Sequence, residues 1–271
     1  MPQTTLPDKA LTQEYTPEPQ AIGVFDSGVG GLTAVRKLVN MLPNERVIYL
    51  GDTARVPYGN KTAATVSAYS QECVQFLLQH NVKLVIVACN TASALALESV
   101  QQISPIPVVG VIAPAAETAL KQTRTGNIGI IGTRATVQSA AYQTAIKNLC
   151  ATQGIEREIR VFAEACPLFV PFAEEGWHYH PATRLVAEEY LAPLKKAAID
   201  TLILGCTHYP MLTDVIQDVL PNVKLINSGE EAVSVADTIL HEKNIHAAQR
   251  GMNRIVECYV TDKSTAFMSV A

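Results

Sequence analysis

Short apolar runs alternate with helical spacing along most of the chain. Runs at 21–25 (AIGVF), 47–50 (VIYL), 83–88 (KLVIVA), 106–111 (IPVVGV), 127–131 (NIGII), 159–163 (IRVFA), 200–205 (DTLILG) and 223–226 (VKLI) read as strands. Between them, apolar residues recur every three or four positions, as in Leu32, Val35, Val39, Leu42 and again in Ala232, Ala236, Ile239, Leu240. That spacing marks one face of an amphipathic helix, and continuous apolar strands between such helices describe parallel sheets covered on both faces. The halves echo each other: IGVFDSG is answered by IGIIGTR, and VIVACNT by LILGCTH. The predicted fold class is α/β, with two similar doubly wound parallel-sheet domains and the active site in the cleft between them as the simplest arrangement, and a single sheet as the alternative that periodicity leaves open. The expected division is a loose, Pro-containing tail over 1–20, a first domain from 21–115 plus 228–271 carrying Cys89, and a second from 116–227 carrying Cys206.

Composition narrows the function. With 48% hydrophobic and 17% charged residues in 271, the chain has the balance of a globular protein. Its longest apolar runs fall far short of the roughly 20 residues of a membrane-spanning helix. A net charge of −4 without a basic block argues against nucleic-acid binding. No apolar segment behind a basic start reads as an export signal, so a cytoplasmic setting with reduced thiols is expected for the six cysteines. Cys73 illustrates packing use, on the stripe Val66, Tyr69, Cys73, Leu77 of an expected helix.

Chemistry is concentrated where apolar runs end. LVIVACNTAS and TLILGCTHYP each run from a strand into a cysteine and then into hydroxyl, amide or imidazole side chains. A cysteine there can be a small packed hydrophobe; as a pair at helix starts, with backbone N–H groups expected to lower the thiol pKa, they read as reactive. FDSGVGG at 25–31 sits after a strand, but Thr33 occupies the third-glycine position of a dinucleotide fingerprint. Asp26 and Ser27 instead read as cleft-facing groups or as a helix cap. GDTARVPYG at 51–59 reads as a loop over the sheet edge, with Tyr58 offering a hydroxyl and Gly59 a backbone N–H.

Several uses of two thiols are open. No Cys-x-x-Cys supports a redox pair. Zinc could be held by Cys89, Cys206, His208 and Asp26, yet the close cysteine spacing of structural sites is missing. A cysteine hydrolase leaves one thiol idle. Proton transfer at opposite faces of one carbon uses both, one as base and one as acid.

Together, DSGVGG, GDTARVPYG, ACNTAS, ACPLFVPFAEEG and LGCTHYP resemble, in order and spacing over about residues 21–240, the glutamate racemases of the cofactor-independent aspartate/glutamate racemase superfamily. The resemblance implies interconversion of L- and D-glutamate, supplying the D isomer for peptidoglycan in the bacterial cytoplasm, with no cofactor and no metal. It implies Cys89 as the thiol acting on D-glutamate, assisted by Asp26, and Cys206 as the thiol acting on L-glutamate, assisted by His208. A carboxylate of Glu174 or Glu175 is implicated as well. Substrate contacts carry over to Asp26, Ser27, Tyr58, Gly59, Asn90, Thr91, Thr207 and His208. Because neither cysteine motif contains Arg or Lys, neutral donors are expected to hold the substrate carboxylates. A homodimer is a family arrangement, and the long tail resembles a subgroup activated by a UDP-muramoyl peptide. Asn227 departs from the Asp expected in relatives. An aspartate racemase, a gyrase-binding protein and a thiol-metal protein are the rival readings.

Overall fold

The computed structural model describes residues 19–248 and 255–263. The proposed 1–20 tail lies outside them apart from its last two residues. Among the described residues, nine strands form two wholly parallel sheets. The first has the order β4-β3-β1-β2-β9, from β1 (Ala21–Asp26), β2 (Arg46–Gly51), β3 (Val82–Val87), β4 (Val108–Gly110) and β9 (Val256–Val260). The second has the order β6-β5-β7-β8, from β5 (Asn127–Gly132), β6 (Arg160–Ala165), β7 (Thr201–Gly205) and β8 (Lys224–Asn227). The helices are α1 (Leu32–Met41), α2 (Ala63–Leu78), α3 (Asn90–Leu95), α4 (Leu97–Ile103), α5 (Ile112–Gln122), α6 (Arg134–Gln138), α7 (Ala141–Gln153), α8 (Phe169–Glu174), α9 (Pro181–Lys196), α10 (Thr213–Val219) and α11 (Ser228–Glu242).

All eight expected strands are present, within a few residues of the expected ends. Strands β1, β2, β3 and β5 are buried at every position, the signature of sheets covered on both faces. One apolar cluster runs from Ile22, Val24 and Leu84 of the first sheet through Ala115 and Ala119 of α5 and Ala236 of α11 to Ile128, Ile130 and Ile203 of the second. The sheets therefore share a continuous core. Separate clusters fill the outer layers, around Leu77 and Cys73 of α2 on one side and Leu191 of α9 on the other.

Asn227, the departure noted in sequence, caps α11. Its Oδ1 accepts from the Gly229 N–H (3.1 Å) and its Nδ2 donates to Glu230 (3.0 Å), so the amide performs the capping an aspartate would. Among the described residues, no helix is long and apolar enough to cross a membrane.

Candidate active site

In each sheet the strand order reverses about a central strand, β1 in the first and β5 in the second. Ligands of open α/β sheets bind at the C-terminal strand ends beside such reversals. Asp26 and Ser27 leave β1 there, Cys89 follows the neighbouring β3, and Cys206 follows β7 beside β5. These ends meet around one cavity of about 360 Å³. Ser27, Tyr58, Gly59, Cys89, Asn90, Thr91, Glu174, Cys206, Thr207 and His208 all line it.

On the first side, Cys89 is the N-cap residue of α3 and its Sγ accepts from the Ala92 N–H (3.4 Å). The thiol donates to Ser27 Oγ (3.3 Å). The expected lowering of its pKa does not occur here. Burial, reinforced by the charge of Asp26, pushes the Cys89 thiol up to about 12, because desolvation disfavours a thiolate more than Ser27 and the Ala92 N–H favour it. Asp26 is fully buried behind the cavity wall, accepting from the Gly31 N–H (2.8 Å), the Gly28 N–H (3.3 Å) and Thr207 Oγ1 (3.4 Å). Burial raises its pKa, while the cationic His208 and those N–H groups act in the opposite direction.

The second side is built differently. Cys206 leads not into an α-helix but into a turn and a short 3-10 segment over Tyr209–Leu212, so the expected helix-start setting holds for Cys89 alone. His208 Nδ1 lies 3.8 Å from Cys206 Sγ. Its Nε2 is 3.1 Å from Glu174 Oε1, close enough for charge attraction though out of line for a hydrogen bond. Burial opposes a charged imidazole at this position, but Cys206, Glu174 and Asp26 outweigh it and push His208 up to about 10. At neutral pH His208 is a cation facing a thiol. The alternative carboxylate, Glu175, is the exposed C-terminal cap of α8 and does not reach the cavity, because one residue along a helix turns a side chain by about 100°.

The glycine motif makes room for this assembly. A Cβ on Gly30 would sit 2.5 Å from Thr207 Oγ1 and 2.9 Å from His208 Nδ1. FDSGVGG thus packs against the second cysteine motif instead of cradling a phosphate. Gly59 plays the same part on the other flank, where a Cβ would meet Thr133 at 2.7 Å.

Some contacts differ from expectation. The Tyr58 hydroxyl is bonded to buried Asp52, which also holds Arg55 Nε (2.7 Å) and Thr261 Oγ1 (2.9 Å), so Tyr58 offers the cavity its body and not a free hydroxyl. Asn90 is tied back by Tyr142 Oη (2.6 Å) and Ser228 Oγ (3.1 Å). Thr91 Oγ1 lies 3.0 Å from Thr133 Oγ1, joining the two sides. The donors are not all neutral, since exposed Arg134 stands at the cavity edge beside Thr133. Thr133, Arg134, Val170 and Pro171 escaped the sequence reading; the echo of IGVFDSG in IGIIGTR pointed to the first two. Among the described residues, Asp26, Cys89, Cys206 and His208 do not form a group of converging metal donors.

Two thiols at the edges of two parallel sheets, each with its own polar attendants, define a racemase-type cleft, and the chain belongs to the Asp/Glu/hydantoin racemase family, whose profile matches residues 22–236. At the next level of detail, it is 46% identical over 256 residues to the glutamate racemase of Syntrophus aciditrophicus, covering 94% of this chain and 92% of that protein. Crystal structures agree. The glutamate racemase isoform RacE1 of Bacillus anthracis superposes with a TM-score of 0.87 at 39% identity, covering 93% of this chain and 92% of that one. The Francisella tularensis glutamate racemase, solved with D-glutamate, gives 0.84 at 40% identity, covering 93% and 91%. A more distant neighbour, the Escherichia coli glutamate racemase with L-glutamate and the activator UDP-MurNAc-ala, gives 0.73 at 27%, covering 93% of each chain.

Proposed function

We propose that this chain interconverts L- and D-glutamate without a cofactor, by proton transfer between the substrate Cα and the thiols of Cys89 and Cys206. The observation that carries the reading is the opposed electrostatics of two thiols on one cavity. Cys89 is held in its protonated form by burial and Asp26. Cys206 Sγ instead lies 3.8 Å from Nδ1 of the His208 cation, with no carboxylate of its own side, among the described residues, pressing on it as Asp26 does on Cys89. This arrangement suits removal of the Cα proton of L-glutamate by Cys206 and delivery of a proton from Cys89 to the opposite face. One S–H bond forms and one breaks, and the thiols exchange protonation states for the return direction.

The carbanion-like intermediate needs fixed dipoles in a dry site. Ser27, Thr91, Thr207 and the backbone near Gly59 are the donors we assign to the substrate, with Asn90 and the body of Tyr58 shaping the wall and Arg134 attracting the anion at the entrance. Glu174 and His208 assist Cys206; Asp26 acts on Cys89 through its charge. The strand distribution supports a division into 21–115 plus 228–271 and 116–227. The reading extends to supply of D-glutamate for peptidoglycan in the cytoplasm, to activation by a UDP-muramoyl peptide as in the E. coli protein, and to a homodimer.

The test is circular dichroism of L-glutamate, D-glutamate and L-aspartate incubated separately with the protein, EDTA and no added cofactor. Both glutamate enantiomers should approach zero ellipticity while aspartate keeps its signal. Unchanged glutamate with and without UDP-MurNAc-alanine would overturn the assignment, and acceleration by that precursor alone decides the activator proposal.

A further inference from the structure

A second cluster lies on the first domain, away from the thiols. Asp237 and His241 are four residues apart on α11 and so share one face. The helix ends at Glu242, Asn244 takes a left-handed φ of 52°, and the Ile245 N–H returns to the Leu240 carbonyl (3.0 Å). This closing turn swings His246 back over the helix it has just left. The His241 and His246 rings come within 3.9 Å between centroids.

Asp237 Oδ1 is 3.5 Å from His241 Nε2 and 3.4 Å from His246 Nε2. At those distances a hydrogen bond would be expected, yet Asp237 Oδ1 and His246 Nε2 are buried without an aligned partner. The two atoms thus stand beside each other without a linear hydrogen bond between them. The separations match the edge of a tetrahedron of about 3.3 to 3.4 Å that follows from zinc–ligand bonds of about 2.0 to 2.1 Å. All three donor atoms fall within 4.8 Å of one another, the one such group among the described residues.

The surroundings fix the ligands. Glu45 Oε1 accepts from the Ala247 N–H (2.7 Å) and stands 3.7 Å from His246 Nδ1, beyond hydrogen-bond distance but placing a carboxylate behind the imidazole. Lys83 Nζ holds Glu45 Oε2 (2.6 Å) and the Ile245 carbonyl (2.6 Å). The His241 side chain is 71% exposed, leaving a fourth position open to water.

We propose that Asp237, His241 and His246 form a binding site for a transition-metal dication, with Zn²⁺ the fitting ion. Two imidazoles and one carboxylate select this class over Mg²⁺ or Ca²⁺, which take oxygen ligands. Bound there, the ion ties the C-terminal turn of α11 to the segment that follows it.

The test is equilibrium dialysis of the full-length chain against Zn²⁺, in a Cys89→Ser/Cys206→Ser background so that the cavity thiols cannot compete. One ion per chain should bind, and Asp237→Asn and His246→Gln should each weaken binding by more than roughly 10-fold. Co²⁺ in place of Zn²⁺ should give visible bands without thiolate charge-transfer absorption. Absence of binding, thiolate charge transfer, or affinity unchanged in both variants while their circular dichroism matches the parent would each overturn the proposal.

Discussion

Replacing His208 with Asn removes a cation 3.8 Å from Cys206 Sγ while keeping a neutral donor of similar reach. At an effective dielectric constant of 20, that separation corresponds to about 4 kcal/mol of attraction between imidazolium and thiolate. At 1.36 kcal/mol per factor of ten, this sets a ceiling of about 10³ in rate. The retained amide donor brings the expected loss in kcat from L-glutamate to about 10²-fold near pH 8. Enantiomers are equal in free energy, so kcat/KM must fall by the same factor from both sides; any asymmetry appears in kcat and KM together, in the same ratio. The assay is initial rates by circular dichroism from each enantiomer between pH 6.5 and 10.5. In the parent protein, activity from L-glutamate should fall as pH rises through about 10, where His208 loses its proton. A variant within threefold of the parent, or one that is slower with an unmoved pH profile, would refute a charge role for His208.

The same proton contributes to folding. Because the folded-state pKa lies above the ordinary value of about 6.5, the contribution is complete below about pH 6.5 and is lost as pH rises through about 10, which urea midpoints of parent and His208→Asn across that window will show. Asp26→Asn removes the negative charge acting on Cys89, so the pH dependence of kcat from D-glutamate should move to lower pH; movement to higher pH would contradict the burial-and-charge account. Gly30→Ala puts a methyl 2.5 Å from Thr207 Oγ1 and should cost about 1–3 kcal/mol of stability and about 10²-fold in kcat/KM, measured by thermal melts and turnover. Glu174→Gln should lower activity by roughly 10-fold while Glu175→Gln stays within twofold, since only Glu174 reaches His208.

Much of this was legible in sequence because buried parallel strands are written as unbroken apolar runs. Strand β9, VECYV, was not read, since an edge strand needs apolar residues on one side only and its Glu257 and Cys258 break the run. The two cysteines, with Asp26, Ser27, Thr207 and His208, were found by their position at strand ends. Their electrostatics were not. A helix start argues for a low thiol pKa, but α3 is six residues long and Cys89 is only 4% exposed, so desolvation wins. The choice between Glu174 and Glu175 depended on the rotation of α8 against the loop after β7, a tertiary fact. Likewise Asp52 read as a loop residue until the fold buried it and surrounded it with Arg55, Tyr58 and Thr261.

The bond from Thr207 of one domain to Asp26 of the other bears on how such a protein can change over time. The carboxylate whose charge adds to burial in raising the pKa of the first thiol also accepts a bond from the loop that carries the second, and Gly30 must stay bare for that loop to fit. Each half thus holds part of the other's acid–base setting. A hybrid made by exchanging one domain with that of a divergent relative would inherit two intact sheets and two thiols, yet its halves would have been tuned to partners no longer present. Exchange of a whole domain would therefore disturb the Thr207–Asp26 contact and the fit at Gly30, whereas paired substitutions across the cleft would preserve them.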